Sequence, residues 1–385
     1  MTQLKQSFPE NYCVLPFMHL ATTPTDEILP CCSWDKTSVP SPLRLTDADP
    51  FNSPWMSEIR QHMLDDLLHP GCKACKSYEK LTGSSTRISQ NSRWGFTTEI
   101  KLRYIEYNLG NLCNLKCRMC NGKNSTSWHK DEQELGWRKH PVVRRLTEHR
   151  SFPLDAIEWI RFIGGEPLLE QEAICQILSD IKSAKKDGLA RVGINITTNV
   201  TIRMSDALTR LLSECKEVVF FLSIDGYGKH NDYQRTGSCW DETADNLIYF
   251  DQLSLGDTVK RYIDPTLTLL TLNSMMDFDA WVYNNLKETI ITGRIVVHPV
   301  EFRICNIPRE YKTRLIDRFS NWSPMGQGRF TNTCKNLILS ELKRDNQCSI
   351  QAIQNRISVL DKIRGENFSE IDTEMYEALF EQRLV

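Results

Sequence analysis

No stretch of this sequence is apolar enough for long enough to span a membrane, which takes about 18 uninterrupted hydrophobic residues. An excess of either charge is also missing. Lysine and arginine number 47 against 49 aspartate and glutamate, a net charge of −2. That balance gives no global positive field for gripping nucleic acid, so neither nucleic acid nor membrane is expected as a partner. The N-terminal MTQLKQSFPENYC lacks the apolar centre of a secretion signal, and FEQRLV at the other end is no prenylation box. A cytoplasmic setting is expected. Internal repeats and low-complexity stretches are not evident. The composition, 40% hydrophobic and 25% charged, excludes wholesale disorder. A chain of 385 residues has room for two or three domains, or for one enlarged α/β domain with appendages.

Cysteine is abundant. Fourteen cysteines without a secretion signal are not expected to form a disulfide framework, because cytosolic thiols are kept reduced; metal or cluster ligation is the better expectation. Cys13, Cys31, Cys32, Cys72 and Cys75 fall in the first 75 residues, and Cys113, Cys117 and Cys120 form a tight group. The other six (Cys175, Cys215, Cys239, Cys305, Cys334, Cys348) are scattered and read as small buried hydrophobes.

A lone CxxC such as Cys72–Cys75 arises easily by chance at this cysteine frequency. The triplet Cys113-Asn-Leu-Lys-Cys117-Arg-Met-Cys120 does not: its chance expectation is roughly 0.02 per chain of this composition. Three thiolates close in sequence hold three corners of a metal site or cluster. A closed structural zinc site needs a fourth protein ligand, and the nearest histidine, His129, is nine residues past Cys120. The spacing favours an iron–sulfur cluster with one open position.

The flanks place the triplet in a fold. Strand-like IKLRYIEYNLGN (100–111) runs into it. Then come AIEWIRFI (156–163) ending in Gly164-Gly165-Glu166-Pro167, a helical pattern at 170–186, ARVGINITTN (190–199) and a helix near 205–214. EVVFFLSIDG (217–226), a helix over about 240–253, RYIDPTLTLLTL (261–272), a helix near 276–288 and RIVVHPVEF (294–302) follow. Alternation of this kind predicts βα units on a parallel sheet. The expected fold is α/β, a partial (βα)6 TIM-like barrel, with an N-terminal Cys-rich module (1–95), a core (96–305) and a helical C-terminal extension (306–385). In such barrels the site lies at the C-terminal ends of the strands, where the Cys loop, GGEP, TTN and SIDG all sit.

CNLKCRMC after a strand, GGEP closing the next and SIDG closing a later one resemble the radical S-adenosylmethionine (SAM) enzymes over about residues 98–305. The resemblance implies that Cys113, Cys117 and Cys120 bind three irons of a 4Fe-4S cluster and that SAM chelates the fourth. Gly164, Gly165 and Glu166 would receive the methionine amino group, with Pro167 shaping the turn. Met119 stands where the family usually has an aromatic residue near the adenine, and a thioether can cover an apolar ring face. Glu166 is a negative acceptor for an ammonium group; its alternative is a helix-start carboxylate favoured by the dipole. Ser223 and Asp225 would bond ribose hydroxyls or simply make a turn, and Asn199 has the same ambiguity. Arg235, in DYQRTGSCW, matches an arginine that pairs with the SAM carboxylate in related members, the alternative being a surface arginine.

The N-terminal segment, with Cys13, LPCCSWD (29–35), FNSPWMSEIR (51–60), CKACKSYE (72–79) and GSSTR (83–87), resembles the twitch or SPASM module that carries an auxiliary iron–sulfur cluster. It precedes the core here, whereas the better-known modules follow theirs. Cys13, one of Cys31 or Cys32 (with Cys32 preferred), Cys72 and Cys75 make four thiolates, a full set for a closed cluster; zinc is the alternative. The basic segment 136–150 reads as a mixed solvated helix. Ile353, Ile357, Leu360 and Ile363 form a helical apolar stripe in the tail.

The resemblance implies an enzyme that cleaves SAM reductively, with electrons from an external flavodoxin-like reductant, and abstracts hydrogen from a substrate carbon. The substrate class it implies is a peptide side chain, with a small carbohydrate-like metabolite as the alternative. A zinc-stabilised, non-enzymatic binding module is the competing class. No residue is assigned as hydrogen-atom donor; Cys239, Cys175 and nearby tyrosines are the candidates.

Overall fold

The structure is a computed structural model that describes residues 9–25, 27–137, 139–143, 152–255, 258–325 and 332–381. Its centre is an eight-stranded sheet. The strands are β1 (His19–Thr22), β2 (Ile28–Leu29), β3 (Tyr104–Asn108), β4 (Trp159–Ile163), β5 (Gly193–Thr198), β6 (Glu217–Leu222), β7 (Val259–Ile263) and, after the two-residue β8 (Thr266–Leu267), β9 (Ile290–Ile291). The order is β2-β1-β3-β4-β5-β6-β7-β9. Every neighbouring pair from β1 to β9 is parallel, and only β2, on the edge, runs antiparallel. β8 pairs separately with β10 (Arg294–Ile295). The protein is therefore mixed α/β on a mostly parallel sheet.

The strands alternate in character because successive side chains point to opposite faces. Ile105 and Tyr107, Ile160 and Phe162, Ile194 and Ile196, Val218, Phe220 and Leu222, and Ile263 are all buried to 2% exposure or less. They meet the apolar stripes of crossover helices: Ile174, Ile177, Leu178 and Ile181 of Gln171–Ala184, Leu208 and Leu212 of Asp206–Ser213, and Leu247 and Phe250 of Trp240–Gln252. The Phe220 and Phe250 rings sit 5.2 Å apart, edge to face. The opposite face is polar and partly open. It carries Glu106, Arg161 and Asn195 in lateral register, with Asn108, Ile163 and Thr197 one step further along.

The start of the chain is built into this sheet. β1 pairs with β3, and the Lys101 and Arg103 N–H groups donate to the Phe17 and Met18 carbonyls (3.0 and 2.9 Å). Beyond the sheet come the helices Arg309–Asn321, Asn332–Leu342 and Ile350–Arg364, the last burying Ile353, Ile357 and Leu360. Ile363 of the expected stripe packs half-buried beside them. Among the described residues no helix is long and apolar enough to cross a membrane. Of the basic segment 136–150, residues 138 and 144–150 lie outside the described residues.

Two strand expectations need correction. RYIDPTLTLLTL stops as a sheet strand at Ile263, because Pro265 has no N–H for a ladder, and Leu272–Ser274 is a 3-10 turn. The final strand is not RIVVHPVEF but Ile290–Ile291 just before it, paired with Tyr262 and Ile263. Gly293 at φ +132° turns the chain; Arg294–Ile295 joins β8, and Val300–Phe302 is a 3-10 turn. The apolar run at 295–297 was the stronger signal, but Pro299 cannot sit in a central strand.

Gly193, first in β5, has the Trp159 ring lying where its side chain would be: a Cβ there would come within 1.8 Å of Trp159. Trp159 is itself capped by the Arg93 guanidinium, 3.6 Å from the ring centroid. Gly193→Ala is expected to destabilise the fold by about 1–3 kcal/mol in urea unfolding. Combining it with Trp159→Leu should cost less than the two single changes together. A Gly193→Ala protein as stable as the parent would contradict this packing.

Candidate active site at the C-terminal rim of the sheet

Five loops leave the C-terminal ends of adjacent strands and enclose one cavity of about 280 Å³. Its wall includes Cys113, Cys117, Met119 and Cys120 after β3, Gly164, Gly165 and Glu166 after β4, Thr198 and Asn199 at the end of β5, Ser223 after β6, Arg235, and Thr266 after β7. The volume is near the low end for a ligand cleft.

The cysteine loop (113–120) makes few bonds to itself and is held from outside. Its Lys116 and Arg118 N–H groups donate to the Thr236 and Gln234 carbonyls (3.0 and 2.7 Å). Ser127 Oγ donates to the Cys113 carbonyl (2.7 Å), Ser125 Oγ to that of Leu115 (2.6 Å), and the Trp128 indole N–H to that of Cys117 (2.9 Å). Trp128 is fully buried. Loop backbone groups that water cannot reach are thereby satisfied.

The glycines of GGEP have a packing reason. The Gly165 N–H donates to the Gly110 carbonyl (2.9 Å) and the Glu166 N–H to that of Leu112 (2.8 Å). Gly164 has φ +154°, and a Cβ on Gly165 would lie 2.2 Å from the Leu112 carbonyl oxygen. Only glycine lets the turn lie on the strand of backbone that leads into Cys113.

Glu166 is buried and its carboxylate is engaged. It accepts from the Leu168 N–H (2.9 Å), the Thr198 hydroxyl (2.8 Å) and the Asn199 N–H (2.6 Å). Burial nevertheless raises its carboxyl to about 7 against these bonds. Glu166 thus joins the GGEP turn to the end of β5 while still lining the cavity. The next residue, Val200, sits at φ +67°, a left-handed conformation that a β-branched side chain rarely adopts. The Val200 N–H bonds to Thr198 Oγ1 (3.1 Å), and its carbonyl accepts from Asn246 (2.8 Å). A turn at Asn199 is one of two expectations there; the left-handed valine that follows it is not.

Polar donors face the sulfurs. Asn199 Nδ2 lies 3.9 Å from Cys113 Sγ, Arg235 Nη1 lies 3.8 Å from Cys117 Sγ, and the Leu115 N–H lies 3.5 Å from Cys113 Sγ. Burial is the main force on all three thiols, pushing Cys117 up to about 12 and Cys120 to about 11. Cys113 charge raises the other two further, while Arg235 opposes the rise at each. Arg235 is itself buried and pairs with Asp225 (Nε–Oδ2 2.7 Å). Crowded thiols with aimed N–H donors suit a cationic metal cluster, which compensates three thiolate charges.

Of the residues singled out in the sequence, Gly164, Gly165, Glu166, Asn199, Ser223 and Arg235 line the cavity with the three cysteines, as does Met119. Pro167 and Asp225 do not. Pro167 is buried at the start of the Pro167–Glu170 turn. Asp225 is wholly buried, accepting from the Thr266 N–H (2.7 Å) and paired with Arg235, so the expected ribose contact from Asp225 is not what the structure presents. Cys175 and Cys239 are outside the cavity wall as well. Thr198 comes with the TTN strand end, whereas Thr266, Asn121, Asn124 and Ser125 were not anticipated; their types are common in turns and carry no spacing signal.

The N-terminal cysteines gather at the other end of the sheet. Asn91 brackets Cys13, accepting from the Val14 N–H (2.9 Å) and donating to the Tyr12 carbonyl (2.9 Å). Arg87 donates to the Tyr12 carbonyl and is paired with Glu79 (2.6 Å). Burial lifts the Cys13 thiol, with further pushes from Cys72 and Cys75. Burial also lifts Cys31, followed by the charges of Cys32, Cys13, Cys72 and Cys75. Cys32 differs. After burial, the Glu106 carboxylate is the main influence raising it to about 12, and Arg161 opposes. Cys31 thus feels the charges of Cys13, Cys72 and Cys75, while the exposed Cys32 feels Glu106 and Arg161 ahead of Cys75. Pro30, just before Cys31, accepts from the ring of His19, the first residue of β1 (2.9 Å).

Residues 103–242 match a family model described as a 4Fe-4S single cluster domain. No curated protein matches the chain. Among solved structures it is similar to Streptococcus suis SuiB bound to S-adenosylmethionine, at 15% identity and TM-score 0.34, over 57% of this chain and 44% of that one. It is similar to native anSMEcpe with bound AdoMet at 18% identity and TM-score 0.42, over 57% and 60%, and to SuiB bound to precursor peptide SuiA at 14% identity and TM-score 0.35, over 69% and 59%. The chain thus spans about half the length of the structures it matches.

Gly165→Ala is expected to push the GGEP turn off the Leu112 backbone. It should lower stability by about 1–3 kcal/mol in thermal or urea unfolding and reduce iron uptake on anaerobic reconstitution. Full iron uptake by a protein of unchanged stability would contradict this account of the glycine.

Proposed function

We propose, from the premise that the 103–242 match and the three-cysteine rim support a member of the radical SAM superfamily, that this chain cleaves S-adenosylmethionine reductively and abstracts hydrogen from a substrate carbon. The observation that carries the reading is the convergence of Cys113, Cys117 and Cys120 with the GGEP backbone, Asn199, Ser223 and Arg235 on one cavity at the strand ends. A 4Fe-4S cluster held by Cys113, Cys117 and Cys120 would supply the single electron that reductive cleavage of S-adenosylmethionine requires.

The protein's own part is to hold and orient. Cys113, Cys117 and Cys120 would hold the cluster. Leu115, Asn199 and Arg235 direct N–H donors at its thiolates, a lever on cluster potential. Gly164 and Gly165 keep backbone close to the cavity, Met119 offers it an apolar thioether, and Ser223 and Asn199 bring polar atoms for the nucleoside. Arg235, kept charged by Asp225, would meet the SAM carboxylate. Glu166 acts from behind, tying the turns together, rather than as a bare acceptor for the amino group.

Cys13, Cys31, Cys72 and Cys75 would hold an auxiliary cluster at the far end of the sheet, within a unit covering residues 1–95, ahead of a core at 96–305 and a helical extension at 306–385. An external one-electron reductant and a cytoplasmic setting belong to the same reading. The substrate class is a peptide side chain. Support for it comes from the polar face between the two cysteine sets. Among the described residues Asn195 Oδ1 and Arg161 Nε are buried without a hydrogen-bond partner, one an acceptor and the other a donor, complementary to an amide.

Anaerobic reconstitution with iron and sulfide tests the reading. Dithionite and SAM should yield 5′-deoxyadenosine, and Cys117→Ala should abolish it. Binding of zinc alone, with no SAM cleavage, would favour a zinc-stabilised binding module instead. In a Cys113/Cys117/Cys120 triple-alanine background, Cys31→Ala should remove the remaining iron and Cys32→Ala should retain it. The reverse outcome would restore Cys32 as the ligand. Cys75→Ala should leave uncoupled SAM cleavage, and its complete loss would contradict separate roles for the two sites.

A further inference from the structure

Between Cys117 and Cys120, the cysteine loop carries an arginine that never reaches solvent. Arg118 is 0% exposed. Its Nη2 pairs with Asp361 Oδ1 at 2.6 Å and with Glu366 Oε2. Its Nε donates to the Tyr233 carbonyl (2.9 Å), and its guanidinium lies 3.5 Å from the Tyr233 ring centroid. The Tyr233 hydroxyl in turn donates to Asp361 (2.7 Å). Asp361 is in the last turn of the helix Ile350–Arg364, and Glu366 follows Gly365, whose φ of +65° ends that helix.

A second linkage runs in parallel. Arg364, at the end of the same helix, pairs through Nε with Asp131 (2.7 Å) and donates from Nη1 to Thr236 Oγ1 (3.0 Å). Asp131 also accepts from Lys116 of the cysteine loop (2.9 Å). The Arg364 guanidinium lies 4.5 Å from the centroid of Trp128, whose indole N–H holds the Cys117 carbonyl. Lys116, Arg118 and Arg364 are thus set against Asp131, Asp361 and Glu366, three cations against three anions. A buried charge of this kind is tolerated only when paired, and removing one partner strands the other.

We infer that the end of the helix Ile350–Arg364 and the turn after it are the back wall of the cluster site, with Asp361, Glu366 and Arg364 acting as positioning residues that fix Lys116, Arg118 and so the cysteine loop between its ligands. None of the three reaches the cavity wall, so each acts through the loop. The C-terminal helix is then part of the site despite lying more than 200 residues from the triplet in sequence. The inference rests on the proposal that the triplet holds iron, and its test separates the two.

The full chain is compared with Asp361→Asn/Glu366→Gln, first without iron and then reconstituted. In the iron-free proteins, amide hydrogen exchange at Lys116 and Arg118 should be at least tenfold faster in the variant, with core β5 and β6 amides unchanged. In the reconstituted proteins, a chelator should strip the triplet's iron at least tenfold faster from the variant, with the N-terminal iron lost at the parent's rate. The electron paramagnetic resonance signal of the reduced triplet cluster should broaden. Arg118→Lys, which keeps the charge, should fall between parent and Arg118→Gln. Exchange and iron release within twofold of the parent would overturn the inference, and so would equal loss from both cysteine sets. Should the double variant not fold, the Arg118→Lys and Arg118→Gln pair decides by the same readouts. A parent that binds no iron at the triplet would sink the cluster proposal alone, leaving the exchange measurement to judge the strut.

Discussion

Three thiols forced into one water-poor pocket set the terms for the rest of the molecule. Desolvation is the main cause holding Cys117 and Cys120 above the usual thiol range, and each added thiolate makes the next one harder to form. A bound cation changes that sign, since a coordinated thiol gives up its proton. The surrounding design is consistent with such a demand. Donors from Leu115, Asn199 and Arg235 point at sulfur, and Arg235 keeps its charge through buried Asp225. A purely structural set of buried cysteines has no use for N–H groups aimed at it.

The same pocket explains why its loops are packed by neighbours and not by themselves. A ligand loop must leave sulfur free on one side, so its backbone bonds are taken up on the other. The 125–128 turn, the 233–236 segment and the GGEP turn each supply part of that scaffold. Glu166 belongs to this scaffold in a way a motif reading misses. Its carboxylate accepts from three donors at the ends of two strands, and the cost of burying it appears as a carboxyl raised to about 7. Strain at Val200 is a second sign that the rim is held by surrounding contacts and is not a relaxed turn.

Much of this was legible in the sequence because it rests on local rules. The alternation of Ile105, Tyr107, Ile160, Phe162, Ile194 and Ile196 with polar neighbours announces strands, and the apolar stripe of Gln171–Ala184 announces its helix. The triplet is improbable by spacing alone. What failed to show were relations between distant segments. Nothing local distinguishes Cys31 from Cys32, since the two are adjacent in sequence. Asp225, expected on its position at a strand end to meet ribose or to make a turn, is instead buried against Arg235 and the Thr266 N–H, partners far away in sequence. The last sheet strand begins four residues earlier than the sequence suggests, for a related reason. Val296 and Val297 look like a strand, and only the ladder to Tyr262 and Ile263 shows that Ile290 and Ile291 hold the register.

The two cysteine sets also give the sheet a direction. The triplet lies beyond the C-terminal ends of the strands. The N-terminal set lies beside their beginnings, fixed there because β1 pairs with β3 and the His19 ring holds the Pro30 carbonyl. Between them runs the polar face with Glu106, Arg161 and Asn195 in one row. Arg161 is paired with Glu106 at 3.0 Å, which satisfies one end of the guanidinium and leaves Nε without a partner. A sheet face that had only to be covered would bury apolar residues, as the opposite face does. A row with an unmet donor and an unmet acceptor among the described residues, lying between the two cysteine sets, suits the proposed reading, in which a polar substrate would lie along this face. The N-terminal segment is joined to the same sheet through the parallel pairing of β1 with β3.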